Sequence, residues 1–74
     1  MTNLSNETMA FLKQYVFEHM NIQEVNEDNI EDVVMFISHK YEDPLSIAAS
    51  YGDTIDEDLL SKASNAITEL TKDW

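Results

Sequence analysis

DNIEDVVMFISHKYEDP, residues 28–44, decides how the rest of this chain is read. Ile30, Val33, Val34, Ile37 and Tyr41 recur at three- and four-residue intervals, which places them on one stripe of an α-helix. Asp28 followed three residues later by Glu31 is the spacing of a capping box, and Val25 is placed for a hydrophobic staple, so this helix is predicted over 28–42. Met35 and Phe36 lie on the flanks of the stripe, which makes the helix apolar around more than half its circumference. Asp43-Pro44 then predicts a break, because Asp caps helices and the fixed φ of Pro suits a first turn. A short helix over 45–51 follows, and Gly52 supplies a left-handed stop.

Working outward, the same periodicity predicts a helix from Ser5, an N-cap residue, to Met20, with Asn21 ending it. Its inner face collects Leu4, Met9, Phe11, Leu12, Tyr15, Val16 and Met20. Phe17 projects about 80° from Met9 on an ideal helix and stands on the more polar side. Downstream, Thr54 and Glu57 have capping-box spacing, predicting a helix over 55–72 with Ile55, Leu59, Ala63, Ala66, Ile67 and Leu70 inward and Trp74 continuing the stripe. The expectation is an all-α, compact four-helix bundle with a short third helix, forming one domain over residues 1–74.

Composition narrows the function classes. No cysteine is present, so disulfides, thiolate metal sites and a cysteine nucleophile are excluded. No stretch approaches the roughly 18 apolar residues of a membrane span, and Met1 to Glu7 lacks the pattern of a leader, so the cytoplasm is the expected location. Fifteen Asp and Glu stand against four Lys and no Arg, for a net charge of −11. Phosphate backbones and anionic lipids would repel such a chain, so neither nucleic acid nor membrane is an expected direct partner.

The acids concentrate at Glu24, Glu27, Asp28, Glu31 and Asp32, and again at Asp53, Asp56, Glu57 and Asp58. Each group stands at a predicted helix start, where carboxylates complement free amides and the helix dipole. That placement explains their position better than their excess, because self-repulsion makes such a balance costly. Residues 44–67 have the outline of a helix-turn-helix, but Asp56, Glu57 and Asp58 fall where base and phosphate contacts would be made. Neither acidic group contains the central glycine of a calcium loop, and His19 and His39 have no paired ligand spacing. No metal, no cofactor and no catalytic residue is expected, and Ser46, Ser50, Ser61 and Ser64 read as ordinary helix surface.

The size, acidity and helical layout resemble the acyl and peptidyl carrier proteins, which present a serine in an Asp-Ser-Leu motif at the start of their second helix. Here that position reads Glu27-Asp28-Asn29-Ile30, and Asp43-Pro44-Leu45-Ser46 does not reproduce the motif, so the attachment serine is absent. The layout also resembles the nuclease-toxin immunity proteins, small acidic bundles with a short third helix, without their aromatic signature around that helix.

What remains is recognition. Phe17, Met35 and Phe36 are candidate apolar anchors, and Glu31, Asp32, Asp56, Glu57 and Asp58 are candidate charges that choose the partner. The leading expectation is a module that docks on a basic protein surface, such as that of a nucleic-acid-binding protein, as an inhibitor, immunity factor or phage anti-host protein does. One alternative is a homo-oligomer paired through the second helix. Another is a nucleic-acid mimic that occupies a DNA- or RNA-binding groove.

Overall fold

Ser5 opens the first helix as its residue type predicts: its hydroxyl accepts the Thr8 N–H at 3.2 Å. In the computed structural model, which describes residues 4–72 and 74, α1 spans Asn6–Tyr15 and α2 spans Phe17–Met20. The predicted single helix is bent at Val16, whose φ of −119° departs by about 55° from the helical value. Asn21 ends α2 in the left-handed conformation at φ 56°, and the Ile22 N–H returns to the Phe17 carbonyl at 3.0 Å.

α3, Ile30–Ile37, begins later than residue 28, and the Asp28–Glu31 capping box does not form. Asn26 caps the turn that leads into α3. Its side-chain oxygen accepts from the Asp28 and Asn29 N–H groups at 2.9 and 3.1 Å, and its carbonyl accepts the Ile30 N–H at 2.9 Å. Asn29 answers reciprocally, its Oδ1 accepting the Asn26 N–H at 2.8 Å. The capping box therefore exists two residues upstream, built from two amides. Val25 precedes that turn and is buried at 7% exposure, with Ile30, the first residue of α3, packed on the same core.

The Asp43-Pro44 break also takes a different form. The backbone stays helical from Ile30 to Ser50, passing through a π-helical turn, Ser38–Glu42, into α4, Asp43–Ser50. Pro44 does fall in the first turn of α4, but Asp43 has helical dihedrals of −63° and −49° and caps nothing. Pro44 has no N–H, and its ring would clash with the carbonyl four residues back in a regular helix. A π turn relieves this by shifting hydrogen bonds to the fifth residue, as the Asp43 N–H does with the Ser38 carbonyl. Gly52, at φ 74°, closes α4 as predicted; the Asp53 N–H reaches the Ala48 carbonyl at 3.0 Å and the Gly52 N–H the Ala49 carbonyl at 3.1 Å.

α5 spans Glu57–Leu70, and its cap is Asp56, which accepts the Leu59 N–H at 3.0 Å, where Thr54 was expected. Among the described residues the four helices of eight or more residues, α1, α3, α4 and α5, form an all-α bundle, and α4 is no shorter than α3. Phe11, Leu12, Val16, Phe17, Val25, Val33, Ile37, Ala63, Ala66 and Leu70 fill its core. Trp74 does not join them and is 67% exposed.

Two cross-links set the directions. At one end, Glu69 of α5 accepts the Ser5 N–H at 2.7 Å and the Ser5 hydroxyl at 2.9 Å, and also takes the Thr8 hydroxyl. At the other end of α1, Tyr15 shares a groove with Asp58 and Lys62, so α1 and α5 are antiparallel. Tyr15 stacks edge-on with Tyr41 at 5.6 Å while His19 meets Phe36 at 6.1 Å, so α3 also runs antiparallel to α1 and α2. The first turns of α3 and α5 consequently lie toward the same end of the molecule.

Candidate partner-binding surface

The sequence-predicted anchors separate on folding. Phe17 is only 6% exposed and belongs to the core, which corrects its assignment as a contact residue. The bend at Val16 re-aims the turn that follows it, so Val16 and Phe17 are both buried although adjacent in sequence. Phe36 is half-buried against the core, its ring 6.2 Å from Tyr41, with the Lys40 ammonium 5.3 Å from its centroid. One face of that ring is thus already occupied by a cation from its own chain. Met35 alone of the three is openly exposed, at 56%.

The predicted charges divide as well. Glu31 and Asp32 are exposed in the first turn of α3, and Glu57 is exposed in the first turn of α5. Asp56 spends its carboxylate on capping α5. Asp58 lies 3.1 Å from Lys62 one turn along the helix, and that hydrogen bond and charge raise the Lys62 pKa. His39 Nδ1 stands 3.7 Å from Asp43, and Asp58–Lys62 is the one lysine–carboxylate ion pair among the described residues. Most of the surface carboxylates are therefore left without a cation from their own chain.

Two exposed side chains escaped the sequence reading. Ile47 is 56% and Tyr51 80% exposed, and no residue of α4 is buried. A signal for this was present. At about 100° per residue, Ile47 and Tyr51 lie within about 40° of each other, while Leu45 stands about 160° from Ile47 and about 120° from Tyr51. A helix of eight residues with apolar groups on two sides can bury only one of them against a single neighbour. Leu45 and Ala48 are the half-buried pair, and Ile47 and Tyr51 are left outward.

The π turn explains why α4 stands off the bundle. Tyr41 sits among Phe11, Tyr15 and Phe36 and donates its hydroxyl to the Tyr15 carbonyl at 3.4 Å, while Glu42 accepts from Ser64 at 3.4 Å. Desolvation, and then the neighbouring Tyr15, push the Tyr41 phenol above its ordinary pKa, so it remains a neutral donor. The chain is fastened to α1 and α5 at residues 41 and 42, and the helix beyond that point is released.

An open groove runs between α1 and α5, lined by Phe11 and Tyr15 and edged by Glu7, Asp58 and Lys62. Among the described residues no buried side-chain nitrogen or oxygen lacks a partner, and no three His, Asp or Glu side chains converge as a metal ligand set. No helix among them is long and apolar enough to cross a membrane. Comparison with protein-family models, with curated proteins and with solved structures finds no match for this chain.

Proposed function

We propose that this protein is a small, acidic, non-enzymatic interaction module of the cytoplasm that docks on a basic protein surface and acts by occupying it, as an inhibitor, immunity factor or phage anti-host protein does. The observation that carries the reading is the unneutralised surface: fifteen acids, four lysines and one lysine–carboxylate ion pair, Asp58–Lys62, among the described residues. Such a surface destabilises the isolated fold by self-repulsion and steers association toward positive potential. The basic surface of a nucleic-acid-binding protein has the matching charge, which makes nucleic-acid mimicry the sharper form of the same proposal.

The test is affinity capture from native lysate, followed by reconstitution with the purified partner at low salt and at about 1 M salt, where the Debye length falls to about 3 Å. The reading expects a basic protein whose affinity collapses at high salt, and mimicry further expects DNA or RNA to compete for it. Capture that resists high salt, or a purified partner without a basic surface, refutes the proposal. Exposed Met35, Ile47 and Tyr51 favour a second reading, a homo-oligomer. Sedimentation of the pure protein at several concentrations separates the two, because self-association grows with concentration.

A further inference from the structure

We infer that the outward face of α4, carrying Pro44, Ile47 and Tyr51, is the surface through which this protein meets its partner, and that the complementary site is an apolar pocket rimmed by Lys or Arg on another protein. This deepens the docking proposal above and rests on it. α4 contributes no buried residue, although α1, α3 and α5 each bury several, and its substantial packing is against the π turn that leads into it. Ile47 and Tyr51 are one turn apart, so their side chains form a continuous outward patch. An aromatic and an aliphatic group held together in the open have the form of an interface anchor pair.

The charge of the adjoining chain identifies the occupant. Between Lys40 and Lys62 the chain carries Glu42, Asp43, Asp53, Asp56, Glu57 and Asp58 and no further cation. A second copy would bring another net charge of −11 to the same patch, and a nucleic acid would bring phosphates, so both meet repulsion there. A basic surface meets attraction at the rim and apolar contact at the centre, the arrangement in which rim charges set the encounter rate and central anchors set the residence time.

The probe is a phage-displayed library of random peptides, selected on the immobilised intact protein. Synthetic copies of the selected peptides are then measured by fluorescence anisotropy against three proteins: the wild type, a double variant Ile47→Ser with Tyr51→Ser, and a control Met35→Ser with Trp74→Ser. Circular dichroism establishes that both variants fold, as replacement of exposed side chains predicts. The expected result is peptides rich in Lys or Arg with interleaved apolar residues, bound at least about tenfold more weakly by the α4 variant and within about twofold by the control. Basic peptides bound equally well by the α4 variant overturn the assignment of the surface and leave the basic-partner reading standing. Selected peptides without basic enrichment, or no binder at all, overturn that reading and this inference together. Concentration-dependent sedimentation of the wild type that the α4 variant abolishes also overturns it, by giving the face to a second copy.

Discussion

Replacing Glu69 with Gln tests whether the bundle is closed by one carboxylate placed at the start of α1. Glu69 lies 64 residues from Ser5 in sequence, yet it takes the Ser5 N–H, the Ser5 hydroxyl and the Thr8 hydroxyl. Thr8 is 2% exposed, so its hydroxyl has little water to turn to when that acceptor is lost. Hydrogen bonds to a charged group contribute about 1.5–3 kcal/mol each when buried, and an amide retains part of the set at a partly exposed site. The expected net loss is about 2 kcal/mol at neutral pH, which lowers the melting temperature by roughly 8–16 °C for a domain of this size. Urea and thermal unfolding followed by circular dichroism measure it, with exposed Glu57→Gln as the control expected to change stability by less than about 0.5 kcal/mol.

The pH dependence separates the charge from mere packing. The Thr8 and Ser5 hydrogen bonds hold the Glu69 pKa below its ordinary value in the folded protein. A depressed carboxylate stabilises the fold above its unfolded pKa, and that contribution disappears as pH falls through the folded value. The stability difference between wild type and Glu69→Gln is therefore full at pH values above about 5 and shrinks below about 4. Taking the difference also removes the general relief of self-repulsion on acidification, which both proteins share. A difference that is the same at both ends of this range, or a neutral-pH loss no larger than that of the control, refutes the reasoning.

Capping supplies a second prediction: Asn26→Ala and Asp56→Ala each cost about 1 kcal/mol, whereas Asp28→Ala and Thr54→Ala change stability by only a few tenths. Urea midpoints of the four variants are the check, and the reverse ranking would restore the capping boxes read from sequence. Phe17→Ala is expected to cost about 3–5 kcal/mol as a core truncation, against less than about 0.5 kcal/mol for Met35→Ala. Equal and small losses on thermal unfolding would return Phe17 to the surface.

Helix stripes were readable because they depend only on local spacing. Leu12, Val16, Val33, Ile37, Ala63, Ala66 and Leu70 face the core as their periodicity predicts. Helix starts were less readable, because residues 24–29 and 53–57 each crowd several Asn, Asp, Glu or Thr side chains together. The choice between Asn26 and Asp28 turns on which backbone amides the tertiary path leaves free. Pro44 was correctly read as an irregularity, but its outcome was a π turn inside a continuous helix, since Tyr41 and Glu42 are fastened to α1 and α5 immediately before it.

Sequence alone makes the chain helical, through its periodicity, and strongly acidic and without cysteine chemistry, through its composition, because local spacing and charge are set before any tertiary contact forms. Tertiary structure decided which apolar residues reach solvent. A bend at one residue turned Phe17 inward, and a helix fastened on one side only left Ile47 and Tyr51 outward. Exposure depends on what packs opposite each face, and that neighbour comes from a distant part of the chain.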